Sequence, residues 1–114
     1  MSNIGQARAD IAAKLVANGV ACSTDPKVTV PAVLVGSPTV LNPEGIGGWR
    51  CEFPINIMGV PPGNEESLEW MLDALEAALV VFPGSAFPRT IDHNGGEVPA
   101  YVLTITQSVA NPNC

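Results

Sequence analysis

Trp49-Arg50-Cys51-Glu52-Phe53-Pro54-Ile55-Asn56-Ile57-Met58 decides how the rest of the chain is read. Trp49, Cys51, Phe53, Ile55 and Ile57 alternate with Arg50, Glu52, Pro54, Asn56 and Met58. That period of two is the signature of a β-strand with one buried face. C-terminal to it, Pro61-Pro62-Gly63 breaks the chain, and Asn64 is placed to cap a helix whose first turn carries Glu65 and Glu66, favourable against the helix dipole. Leu68, Met71, Leu72, Leu75, Ala78, Leu79 and Phe82 then recur at helical spacing, and Pro83-Gly84 ends the run. Arg89 to His93, the turn Asn94-Gly95-Gly96 and Val98 to Val109 read as a β-hairpin with a long second strand.

N-terminal to the deciding strand, residues 36–48 hold Pro38, Pro43 and four glycines, with Val40, Leu41 and Ile46 as isolated apolar positions. This reads as a long loop, a length uncommon in compact domains unless the loop has work to do or lacks order. Val28 to Val35 is a β-branched run that reads as a strand, and Pro31 makes it an edge strand or one that starts late. Ile4, Ala7, Ile11 and Leu15 form the stripe of a first helix, with Ser2 or Asn3 as its cap and Asn18-Gly19 as its stop.

The expected order is therefore helix, strand, strand, helix, strand, strand. It implies a single α+β domain over residues 1–110, with a four-stranded mixed or antiparallel sheet carrying both helices, and a loose tail at Asn111 to Cys114. At 114 residues one layered core is affordable and a second domain is not expected.

Charge is scarce: 14% of residues, against about 25% in a typical domain. A folded domain so poor in charge is expected to cover part of its surface with a partner. The net charge of −6, with Arg8, Lys14, Lys27, Arg50 and Arg89 unclustered, disfavours specific nucleic-acid binding, whereas an acidic lining suits a protein that lets DNA pass. The N-terminus has no basic segment leading into an apolar one, and no apolar run approaches a membrane span, so a soluble intracellular protein with no membrane contact is expected.

Catalytic chemistry finds little footing. Asp92 and His93 are adjacent, and neighbours on a strand point to opposite faces, so they cannot work as a pair. Cys22, Cys51 and Cys114 have no metal-binding spacing, and Cys51 lies on the buried face of its strand as a small hydrophobe. Gly45 to Gly48 and Asn94 to Gly96 lack the pattern of a nucleotide loop. No catalytic residue, cofactor or metal is expected. Two features bear on binding. Glu65, Glu66, Glu69, Asp73 and Glu76 lie off the apolar stripe of the second helix with no base among them, which suits a solvated face, a basic partner or a DNA passage. Arg8 borders the first helix's stripe, placed to lay its stem along the core edge or to reach a neighbouring subunit.

Length, element order, acidic balance and the loop Ser37 to Gly48 together resemble the tail-terminator family of long-tailed bacteriophages, or a closely related head-tail joining protein. The nearest motifs are Arg8-Ala-Asp-Ile11, Trp49-Arg-Cys-Glu-Phe-Pro54 and Ser67 to Leu79, and the resemblance spans almost the whole chain. It implies a homo-hexameric ring in the virion, assembled in the host cytoplasm at the head-proximal end of the tail tube. Such a ring stops addition of the major tail protein and offers its other face to a head-connector or stopper protein, while DNA passes through without specific binding. For this chain it implies subunit contacts at the sheet edges and Arg8. Ser37, Val40, Leu41, Glu44 and Ile46 of the long loop, with Phe87, would reach a neighbouring ring. The competing reading is a small ferredoxin-like regulatory module that binds a ligand at a dimer or tetramer interface.

Overall fold

A computed structural model of the chain describes residues 2–41, 48–61 and 64–110. The elements are α1 (Asn3–Ala17), β1 (Ala32–Val35), β2 (Thr39–Leu41), β3 (Gly48–Met58), α2 (Glu65–Val81), β4 (Ala86–His93) and β5 (Gly96–Ala110). The class is α+β, as the hydrophobic periods imply. The sheet has five strands in the order β1-β3-β5-β4, with β2 beside β1 on the same edge of β3, and all its pairings are antiparallel. The expected count of four fell short because Thr39-Val40-Leu41 is too short to announce itself. It becomes a strand only by pairing with Glu52, Cys51 and Arg50 of β3.

Pro54 explains why β1 and β2 are two strands and not one. Its carbonyl faces their edge and accepts from the Gly36 N–H at 2.8 Å, but its ring nitrogen has no proton to give. β1 pairs with β3 from Ile55 onward and β2 from Glu52 backward, leaving the proline between them. β1 starts only after Pro31 and lies at an edge of the sheet, so both of the readings that Pro31 allowed hold.

Both helices are capped as their sequences dictate. The Ser2 Oγ accepts from the Gly5 N–H at 2.8 Å, and the Asn64 side chain accepts from the Ser67 N–H at 2.9 Å. At the end of α1 the Val20 N–H reaches the Leu15 carbonyl at 2.9 Å and the Gly19 N–H reaches that of Val16 at 3.1 Å, with Gly19 at φ +86°. This is a Schellman stop, and its hydrophobic clasp is complete because Leu15 and Val20 are both buried. Lys14 in the last turn lies 5.0 Å from the centre of the Phe82 ring, joining the C-terminal ends of the two helices.

The helices cover the sheet face that carries Cys51, Phe53, Ile55 and Ile57, all fully buried together with Leu15, Val35 and Leu103. Trp49, assigned to the same face, is half-buried at its margin. On α2 the buried positions are Ser67, Met71, Leu75 and Ala78. The core-facing stripe is therefore centred to one side of the expected one, and Leu68 and Leu72 stay 41% and 40% exposed. The reason is Gly59 at the end of β3, on which the Ser67 and Met71 turn of α2 lies directly.

A second small core occupies one end of the opposite sheet face: Leu34, Met58, Val98 and Ala100, with Val28, Val30, Ala32 and Ile91 packed against it. Met58 was expected on the solvent side of the alternation and is fully buried, because the segment before β1 crosses beneath the sheet. The hairpin turn Asn94-Gly95 has φ of 52° and 84°, the two positive values of a type I′ turn. The first hairpin strand begins at Ala86, three residues before the expected Arg89. β5, at 15 residues and about 3.3 Å each, accounts for the 49 Å long axis of a molecule only 29 by 23 Å across.

Candidate assembly surfaces

Arg8 projects from α1 to the C-terminal end of β1. Its Nε donates to the carbonyls of Val35 at 2.9 Å and Gly36 at 3.2 Å, and its Nη2 donates to that of Thr24. These carbonyls belong to two segments that meet at a parallel bridge between Ser23 and Leu34. The planar guanidinium fork suits this task, since one cation satisfies acceptors on both segments. The structure thus occupies Arg8 within its own chain, as a clamp of α1 on the sheet.

His93 has a comparable role. Its Nε2 meets the Val28 carbonyl, and because a carbonyl only accepts, the proton in that contact belongs to the imidazole. The Asn94 Nδ2 donates to the carbonyls of Lys27 and Val28 at 3.4 and 3.3 Å. The hairpin turn is thereby fastened to the segment that covers the second core. Asp92 is exposed on the other face of β4, so adjacency in sequence brings no pairing of the two side chains.

Cys51 is fully buried and Cys22 is half-buried, its Sγ 3.3 Å from the Ala12 carbonyl. Burial pushes both thiols above their ordinary range. Among the described residues no group of three or more His, Cys, Asp or Glu is placed to hold a metal ion, and no helix is long and apolar enough to cross a membrane.

The remaining site residues lie apart, on three surfaces. Val40 of β2 is 48% exposed and Leu41 half-buried at one edge of the sheet, with exposed Ser37 just before them. Phe87 of β4, 63% exposed, lies on the opposite edge. Glu44 and Ile46 fall outside the described residues, as does the tail Asn111 to Cys114. Glu65, Glu66, Glu69, Asp73 and Glu76 are all exposed on the outer side of α2.

Sequence reasoning missed that this acidic side also carries Val80, at 83% the most exposed large apolar residue described. Helical spacing contained the signal: Val80 lies four residues after Glu76 and seven after Asp73, on their side of the helix. A groove of about 460 Å³ separates α2 from the β4–β5 hairpin, floored by Tyr101 and bordered by Leu68, Met71 and Pro88. Comparison of the chain with protein-family models, with curated proteins and with solved structures gave no match.

Proposed function

We propose that this chain is a structural subunit of a bacteriophage virion. Six copies would close a ring at the head-proximal end of a tail tube, ending tube growth and offering the other ring face to a head-connector protein. The observation that carries this reading is the pair of apolar side chains exposed on opposite edges of one sheet, Val40 on β2 and Phe87 on β4.

A head-to-tail interface joins two different surfaces of the same subunit, and it makes a closed ring when the rotation between neighbours divides a full turn. Two unlike edges, each with an exposed apolar anchor, meet that requirement. A two-fold interface needs only one patch. Termination is then steric: a subunit whose one ring face fits the tube and whose other face does not leaves nothing for the next tube subunit to bind. The net charge of −6 keeps DNA passage free of specific attachment, since like charge repels phosphate.

Native mass spectrometry over a range of concentrations tests the reading. Six copies of the 11.8 kDa chain give about 71 kDa, expected either for the protein alone or after addition of purified tail tube. A chain that forms no such species under either condition, and does not block extension of the tube, refutes it.

A further inference from the structure

β4 ends its pairing with β5 at Leu103, opposite Ala86, and the following Thr104 to Ala110 continue alone along the far side of β3. Among the described residues no strand pairs with the outer side of these seven. They contain no charge and no proline, the two usual devices that keep a sheet edge from pairing. The other edges have such protection. β4 carries Pro88, Arg89 and Asp92, β1 has its outer side taken by Ser23, and β2 is three residues long.

The direction of the backbone groups on this open stretch follows from its neighbours. His93 and Gly96 close a two-residue type I′ turn and are the hydrogen-bonded pair of the hairpin, so even-numbered residues of β5 face β4. Independently, the carbonyl of Pro54 is turned away from β5 to Gly36, and Pro54 lies opposite Thr104. Thr104, Thr106 and Ser108 therefore aim their N–H and C=O groups outward; those of Thr104 meet the chain entering β4 beside Gly84, and those of Thr106 and Ser108 meet no strand among the described residues.

We propose that this edge pairs with the same edge of a second copy, antiparallel, about a two-fold axis at Gln107. The segment Thr104-Ile-Thr-Gln-Ser-Val-Ala110 is self-complementary about that residue. Ile105 falls opposite the partner's Val109, Thr106 opposite the partner's Ser108, and Gln107 opposite the partner's Gln107. Apolar meets apolar and hydroxyl meets hydroxyl, the cross-strand matches that stabilise a ladder. The same register sets outward-facing Thr106 against outward-facing Ser108, as a hydrogen-bonded pair requires. It also stops at Thr104, where Gly84 and the return of the chain into β4 approach the strand. The surface is isologous and continues the sheet across both copies. It lies on the β4 side of the sheet, beyond the end of β4 and across the sheet from Val40, and the pairing does not depend on the ring.

The test uses Thr106 and Ser108, whose side chains are exposed on the sheet face away from the helices. Thr106→Lys with Ser108→Lys sets two like-charged pairs across the axis, and so does Thr106→Glu with Ser108→Glu. Each double variant, folded by circular dichroism, is expected to self-associate about tenfold or more weakly than the unaltered chain. Mixed together they are expected to form a heterodimer, seen by its intermediate mass in native mass spectrometry. Hydrogen exchange gives a second measure: the Thr106 and Ser108 amides of the unaltered chain become protected as concentration rises.

An unaltered chain that stays monomeric with those amides unprotected overturns the pairing. So does a Lys variant that associates as well as the unaltered chain, or a mixture that gives no heterodimer. If the unaltered chain is instead a hexamer, a Lys pair that leaves its mass unchanged overturns the β5 contact while the ring stands. Dissociation reversed by the Glu partner supports it.

Discussion

A methyl group on Gly59 would stand 2.4 Å from the Ser67 Oγ and 2.9 Å from the Met71 Sδ. That approach fixes where the first turns of α2 rest on the end of β3. The Ser67 hydroxyl cannot turn away without cost, since it accepts from the Val60 N–H at 2.9 Å and its residue is buried. Gly59→Ala is therefore expected to destabilise the fold by about 1–3 kcal/mol, as overpacking does. Chemical denaturation checks it. An alanine variant of unchanged stability would mean that α2 is not seated on Gly59.

Arg8 separates a clamp from an anchor. Arg8→Met keeps most of the stem but leaves the carbonyls of Thr24, Val35 and Gly36 without their donor, at an expected loss of about 1–3 kcal/mol. Arg8→Lys should lose less, because an ammonium keeps the charge but not the fork. Both are to be measured on dilute protein. A residue acting only between subunits would leave the stability of the dilute chain untouched.

The thiols set a limit on alkaline stability. Burial raises the pKa of Cys51 and Cys22 in the folded chain above the ordinary 9.0. The unfolded chain thus loses its thiol protons first as pH climbs. Stability from the protonated thiols is complete below pH 9 and falls as pH rises from there through the folded-state values. Cys51→Ala should flatten that alkaline slope in a series of denaturation curves from pH 7 to about 10.5, at the cost of a small cavity at every pH. An unchanged slope would show that Cys51 does not contribute to it.

Phe87→Ser and Val40→Ser address the ring. Both side chains are substantially exposed in the single chain, so each change should shift its stability by no more than about 0.5 kcal/mol. Either should abolish the species near 71 kDa. A ring that survives the loss of both side chains would remove them from the subunit contact.

The sequence was most informative where a few neighbouring residues decide the structure. The alternation of β3, the capping side chains Ser2 and Asn64, the stop at Asn18-Gly19 and the Asn94-Gly95 turn all act within four or five residues. Their backbone consequences hold in almost any surroundings. The candidate site was less legible. Val40, Phe87 and the acids of α2 are exposed as a binding reading needs; their edges depend on strand order, which no local pattern gives, whereas the nearness of Val80 to the acids was present in the helical spacing.

What the sequence by itself determined is every element but β2, their caps and turns, and which side of β3 must be buried, because each follows from local hydrogen bonding and a repeat of two or 3.6 residues. Only the tertiary structure decided the rest. It made Thr39–Leu41 a strand, rotated the buried stripe of α2 toward Ser67, buried Met58 beneath Val28 and Val30, and turned Arg8 and His93 onto carbonyls far along the chain. It also left Ile105 to Ala110 without a paired strand on the outer side among the described residues. Each of these depends on which distant segment fills a given space or satisfies a given polar group, and no local pattern in the chain encodes that partner.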